Sequence, residues 1–180
     1  MIFDKSFKEI FSAQLFAIVG GIVAGIVLAT YREMIFLVPG MLIVIPGFMA
    51  MRGNISGTFA SRISSGLFLG IINPNKPDQK LISGNLNGSF ILAVVVSLSL
   101  GIIASIFNYV ITGVFVYQII LIPFFAGILS NFLLNPITFF ATMYFYKKGY
   151  DPNNIIGPVV STIGDVTSIV SLLLVIIIIT

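Results

Sequence analysis

The segment MIFLVPGMLIVIPGFMAMRGNISGTFASRISSGLFLGII (34–72) decides how many times this chain crosses a membrane. Its 39 residues would extend about 58 Å as one α-helix, roughly twice the hydrocarbon thickness of a bilayer. Pro39, Pro46 and the polar patch MRGNISG (51–57) interrupt it. The segment is therefore either one broken span or two separate spans.

The composition places the whole chain in a membrane. Hydrophobic residues make up 58% of the 180 residues, charged residues 8%, and the mean hydropathy is +1.13. A soluble domain carries about 25% charged residues, so this chain lacks the polar surface that water requires. We predict an all-α polytopic membrane protein, integral to the cell membrane, whose residues 1–180 form a single transmembrane domain. The net charge of +3 is assigned to membrane topology, and no nucleic-acid partner is expected.

Polar breaks divide the chain into five apolar segments. The loops NPNKPDQKLISGNLNG (73–88) and KKGYDPNN (147–154) are the clearest of these breaks. We predict spans at about residues 13–30, 34–72, 89–107, 114–146 and 155–179, after a short amphipathic helix at about residues 3–12.

The lysines choose between the two interpretations of segment 34–72. If that segment is one broken span, all six lysines lie on the side of the amino terminus: Lys5, Lys8, Lys76, Lys80, Lys147 and Lys148. The opposite turns then hold only Arg32, beside Glu33, which is the bias expected of cytoplasmic loops. We therefore predict five spans, the second broken at Gly53–Asn54, with the amino terminus inside and the carboxyl terminus outside.

One carboxylate, Asp165 in PVVSTIGD (158–165), lies inside the last predicted span, and no charged residue follows it. A charge at the bilayer centre costs about 2.5–3.5 kcal/mol even on the gentlest scale, so it should face the bundle interior or water. A helical wheel at about 100° per residue groups several polar or helix-breaking residues on the same side. These are Asn154, Pro158, Ser161, Thr162 and Ser168.

The second span carries a comparable polar stripe. Asn54, Thr58, Ser61 and Ser65 share one helical face, flanked by Gly57 and Arg62. Two alternatives remain open at this point. The hydroxyl stripes could serve ordinary interhelical packing, and Asp165 could neutralise Arg52 or Arg62 in a structural ion pair.

The absence of His and Cys limits the chemistry. It removes the usual ligands of zinc and copper, so any metal handled here should be a hard cation bound by oxygen. Intramembrane aspartyl proteases use YD and GxGD motifs, and the chain has Tyr150-Asp151 and Gly164-Asp165. However, Thr162 stands where GxGD needs glycine, and the two aspartates would lie about 21 Å apart along one helix. We predict no enzymatic activity and no prosthetic group.

Two motifs resemble one family of transporters. PGFMAMRGNISGTFASRISSG (46–66) resembles the Gly-Asn signature in the second membrane helix of MgtE-type magnesium channels and, more closely, of the related solute carrier family 41. YDPNNIIGPVVSTIGDVTSIVSL (150–172) is similar to the last helix of that family. The resemblance implies Mg²⁺ transport by a homodimer, since the solute carriers fuse two copies of a unit that occurs once here. It also implies a cation site formed by Asp165, Ser161, Thr162, Asn54 and Gly53.

The chemistry of Mg²⁺ agrees with this implication, because Mg²⁺ keeps several waters and is usually held by one or two carboxylates. The sequence therefore predicts a homodimeric channel or transporter for Mg²⁺ or another hard divalent cation, with Asp165 at the centre of a pore on the dimer axis. The alternative is a membrane scaffold or subunit that binds a partner protein.

Overall fold

The computed structural model describes residues 5–180, and this range is helical without strands. The helices are α1 (Lys5–Thr30), α2 (Arg32–Phe36), α3 (Met41–Phe68), α4 (Gln79–Thr112), α5 (Gln118–Lys147) and α6 (Pro152–Ile179). Within the described range, α1, α4, α5 and α6 are long and apolar enough to cross a membrane. The chain is an integral, polytopic membrane protein, as predicted. Residues 3 and 4 of the predicted amphipathic helix lie outside the described residues.

Helix α3 forms the centre of the bundle, in contact with α4, α5 and α6. Its apolar side chains Val44, Phe48 and Ile63 are fully buried, as are Ile122 of α5 and Ile176 of α6. The core therefore lies around α3, although α3 is the most polar of the long helices. Helix α1 is peripheral: within residues 5–180 it packs against α6 and the short α2.

Small residues allow α4 and α5 to approach each other closely. A Cβ atom added at Gly101 would lie 2.8 Å from the Cα and carbonyl oxygen of Ile120. A Cβ atom added at Gly127 would lie 2.6 Å from the Cβ of Ser97. Side chains at these two glycines would separate the helices, so the backbone contact depends on glycine.

Aspartates begin two of the long helices. The side chain of Asp78 accepts a hydrogen bond from the Lys80 amide at the start of α4, and Asp151 accepts one from the Asn153 amide at the start of α6. Both are standard N-cap contacts that satisfy otherwise unpaired amides. Because of the first cap, α4 begins about ten residues before the predicted start at 89.

The predicted amphipathic helix continues into the first span as one helix, α1. One detail of the predicted spans is wrong. The break expected at Gly53–Asn54 is not found, because α3 continues through both residues. The side chains of Arg52, before this pair, and Ile55, after it, are buried. The interruption in segment 34–72 lies instead at residues 37–40, where Gly40 has φ +82°, a conformation that favours glycine.

Two hydrogen bonds define one end of the bundle. The Lys5 ammonium donates to the Gly149 carbonyl oxygen at 2.8 Å. The Tyr146 hydroxyl donates to the Leu67 carbonyl oxygen at 3.2 Å. The start of α1, the ends of α3 and α5 and the start of α6 therefore lie together, and the lysine-rich turns belong to this end.

Candidate cation site on the last helix

Asp165 lies near the middle of α6 and is half-buried. It is 13 residues beyond Pro152, or about 20 Å along the helix axis. Within residues 5–180, its carboxylate has no hydrogen bond and no basic group within 4.0 Å. The ion pair with Arg52 or Arg62 that the sequence left open is therefore not formed in the described part of the chain.

Arg52 is fully buried and points towards α5. Its Nη1 donates to Asn131 Oδ1 at 3.0 Å, and its Nη2 donates to the Ser130 carbonyl oxygen at 3.0 Å. The Nε of Arg52 and the Nδ2 of Asn131 have no partner among the described residues. The arginine joins α3 to α5 and does not neutralise Asp165.

The two predicted hydroxyl ligands next to Asp165 have different surroundings. Ser161, one turn earlier on α6, is exposed. Thr162 is buried, and its hydroxyl donates to the Pro158 carbonyl oxygen at 2.9 Å. Its Cγ2 methyl occupies the space that a Cβ at Gly20 of α1 would need. Ser161 thus shares the accessible side of α6 with Asp165, whereas Thr162 faces α1.

The ends of the predicted stripe on α6 also turn away from the accessible side. Asn154 donates through Nδ2 to Glu9 Oε2 of α1 at 3.0 Å. Ser168 is fully buried, and its hydroxyl has no partner among the described residues. The helical wheel groups these side chains by angle, but Asn154 is bonded to α1 and Ser168 is buried within the bundle.

The polar stripe on α3 is accessible along its whole length. Asn54, Thr58, Ser61 and Ser65, which the pattern placed on one face, are all exposed, and so is Arg62. The neighbouring glycines are open as well: a Cβ atom added at Gly53 or Gly57 would meet nothing within 4 Å. A polar surface at membrane depth requires cover by protein or contact with water.

A polar cavity of about 280 Å³ lies between α3 and the first turns of α6. Ser61 and Ser64 line it on one side, and Asn153 and Gly157 on the other. Gly157 is eight residues before Asp165, about 12 Å along the helix axis. The cavity therefore extends from the lysine-bearing end towards the carboxylate. Asn153 and Gly157 could not be predicted as lining residues from the sequence, because their relevance depends on the position of α3.

One copy of the chain supplies one carboxylate to this region. Among residues 5–180, no three acidic, His or Cys side chains come together as a metal cluster. A single carboxylate with nearby hydroxyl and amide oxygens suits a hydrated hard cation better than a dehydrated one.

A family model described as MgtE, divalent cation transporter, matches residues 45–175, more than two thirds of the chain. The chain belongs to the MgtE family. The match includes both Asn54 on α3 and Asp165 on α6. Members of this family are transporters rather than enzymes.

This MgtE-family chain is also similar to solute carriers of family 41. It is 26% identical to solute carrier family 41 member 2 of Homo sapiens over 156 residues, which cover 83% of this chain and 27% of that protein. The same protein of Gallus gallus gives the same figures. Solute carrier family 41 member 3 of Rattus norvegicus is 27% identical over 160 residues, covering 83% of this chain and 34% of that protein. The chain spans about a quarter to a third of these relatives, and the resemblance predicted from the two motifs is confirmed.

Proposed function

We propose that this chain is a homodimeric channel or transporter for divalent cations, with Mg²⁺ as the main ion, and that ions pass along the dimer axis with Asp165 as the central binding group. The observation that carries the proposal is the state of Asp165. It is a mid-helix carboxylate, open to the same side as Ser161, without a basic partner in the described part of the chain. A charge at this depth requires a compensating partner, and a transported cation would supply one.

The proposal includes α3 as a fifth span. Its 28 residues extend about 42 Å, and it packs among three of the four helices that are apolar enough to cross a membrane. Five crossings put the two chain termini on opposite sides. The positive-inside rule then assigns the lysine-bearing end, with the amino terminus, to the cytoplasm.

A second copy would explain the open polar stripe on α3. Lipid tails offer no hydrogen bonds to Asn54 or Ser61, so a dimer partner or a water-filled pore should cover them. Two-fold symmetry would place two Asp165 side chains beside one path, which matches the one or two carboxylates that commonly hold Mg²⁺.

The remaining predicted ligands would take different parts in this site. Asn54 and Ser161 would contact waters of the hydrated ion through exposed oxygens, and the open surface at Gly53 would allow the ion to approach the backbone. Thr162 would act from behind Asp165, by fixing the distance between α6 and α1.

Ion flux into liposomes tests the function. Vesicles containing the purified chain and a trapped Mg²⁺ indicator should fill when Mg²⁺ is added outside. Asp165→Asn should lower the initial rate at least about tenfold, which corresponds to about 1.4 kcal/mol. Asp165→Glu should retain part of the rate. Asp78→Asn is the matched control, because it removes an aspartate outside α6 and Asn also serves as an N-cap.

The outcomes separate the candidate functions. Wild-type vesicles that take up no divalent cation, or Asp165→Asn vesicles that fill as fast as wild type, would contradict the proposal. A folded dimer without flux would favour the scaffold alternative.

Cross-linking tests the dimer independently of flux. The chain has no cysteine, so Ser161→Cys creates a single thiol on the proposed axis. A short bis-maleimide should join two Ser161→Cys chains in dilute vesicles, whereas Phe132→Cys, on an exposed part of α5, should stay monomeric. Equal cross-linking of both variants would contradict a dimer axis at α6.

A further inference from the structure

A second cavity, of about 700 Å³, opens at the lysine-bearing end between α1 and the turn that joins α5 to α6. Its inner wall is apolar and includes Phe16 of α1 and Ile155 and Val159 of α6. Its rim is polar and includes Lys8 and Tyr150. The lining of the cavity is therefore polar at the end of the bundle and becomes apolar further along the helices.

The charges at the rim are not balanced. Glu9 is 8% exposed and accepts a hydrogen bond from Asn154, with the Lys5 ammonium 3.8 Å from its other oxygen. Lys5 also donates to the Gly149 carbonyl oxygen, so Glu9 and Lys5 offset each other. Lys8 is exposed, and its ammonium has no hydrogen bond or ion pair with any residue in the described range. Among residues 5–180, one positive charge that lines the cavity therefore has no partner.

The cavity lies at the edge of the bundle. Since α1 packs only against α6 and α2 within residues 5–180, the space beside it faces the bilayer. An apolar wall next to lipid is a poor site for water, which needs two or more polar partners. An acyl chain matches the inner wall, and an anionic headgroup matches the rim.

We propose that this cavity binds an anionic phospholipid, with its phosphate at Lys8 and one acyl chain along Phe16 and Val159. A lysine near the membrane surface favours anionic over neutral lipid about fivefold. The bound lipid would fill the space between α1 and α6, the helix that carries Asp165. The inference depends on the membrane location of the chain and is independent of the ion that passes through it.

Fluorescence quenching tests the proposal directly. The chain has no tryptophan, so Phe16→Trp places a single fluorophore inside the cavity. The variant is reconstituted in mixtures of phosphatidylcholine and phosphatidylglycerol, with one or the other lipid brominated, because bromine quenches tryptophan on contact. Phe140→Trp is the control, because Phe140 is 67% exposed on α5. Along their helices, Phe16 lies about 12 Å from Lys8 and Phe140 about 10 Å from Lys147.

We expect phosphatidylglycerol to bind about fivefold more strongly than phosphatidylcholine at position 16. The ratio at position 140 should be unaffected by Lys8→Gln, because that lysine lies in the cavity rim on another helix. Adding Lys8→Gln to Phe16→Trp should reduce the ratio to about one, whereas Lys76→Gln, in the turn before α4, should leave it unchanged. Equal quenching by the two lipids at position 16, quenching by neither, or no effect of Lys8→Gln would overturn the proposal. If Phe16→Trp does not fold, Val159→Trp reports from the opposite wall of the same cavity.

Discussion

The buried contact between Arg52 and Asn131 gives the sharpest prediction about stability. Arg52 donates to Asn131 Oδ1 at 3.0 Å, and both side chains are fully buried. We consider the double-mutant cycle of Arg52→Met, Asn131→Leu and both changes together. Leu matches Asn in length, and Met keeps the unbranched first part of the arginine side chain. The cost of the atoms lost in Arg52→Met is common to the single and double variants, so the cycle isolates the contact.

The magnitude follows from the charge and burial of the pair. Hydrogen bonds between helices in a membrane average about 0.6 kcal/mol, with a maximum near 1.7 kcal/mol. Bonds to charged groups are worth about 1.5–3 kcal/mol in proteins generally. Since Arg52 is charged and has no acidic partner in the described range, its coupling to Asn131 should lie near the upper membrane value, at about 1.5 kcal/mol. Asn131→Leu alone should be more destabilising than the double variant, because it leaves the guanidinium with one acceptor fewer.

The assay is reversible unfolding in mixed micelles, followed by the loss of helical circular dichroism as denaturing detergent is added. A neutral pair in the same bundle provides the reference. Ser89 of α4 and Asn135 of α5 are bonded at 3.2 Å, and the cycle of Ser89→Ala with Asn135→Leu should give about 0.6 kcal/mol. A coupling at Arg52 and Asn131 no larger than at the neutral pair would refute the reasoning that charge strengthens this contact.

Two further predictions concern backbone geometry. Gly101→Ala should destabilise the fold by about 1–3 kcal/mol, because the new methyl group would meet the Ile120 backbone. The control is Gly84→Ala, on an open part of α4. This change should be neutral or should stabilise the fold by up to about 1 kcal/mol. A thermal melt of the two variants checks this, and equal effects would contradict it. Gly40→Ala should cost at least about 1–2 kcal/mol, since Gly40 has φ +82° and its α-carbon faces the Asn108 side chain. Unchanged unfolding of that variant would show that residues 37–40 can adopt another turn.

Much of the architecture was predictable from the sequence, because a bilayer imposes few choices. Apolar length locates the long helices, and the lysines indicate which turns share an end. The hydrogen bond from Lys5 to Gly149 places two of those turns together, as expected. The shared face of the α3 stripe also followed from periodicity, since Asn54 and Ser61 are seven residues, or nearly two helical turns, apart.

The arrangement of neighbours was not predictable in the same way. A helical wheel places Thr162 near Asp165 by angle, but it contains no information about α1, whose Gly20 turns Thr162 into a packing residue. Likewise, the sequence offered Asp165 as a partner for Arg52, whereas the structure gives Arg52 the amide of Asn131. The continuity of α3 through Gly53 depends on contacts with three other helices, which local propensity does not contain.

The pairing of α1 with α6 has a consequence for the order of synthesis. Helix α1 leaves the ribosome well before α6, its main partner. More than 120 residues separate the end of α1 at Thr30 from the start of α6 at Pro152, so at about 5–20 residues per second the first helix waits roughly 6–25 s. Gly20 and Ala24 lie on the face of α1 that is covered in the folded protein. During that interval α2 is the one described helix already synthesised that α1 contacts. The contact between α1 and α6 can therefore form only after α3, α4 and α5 have been synthesised.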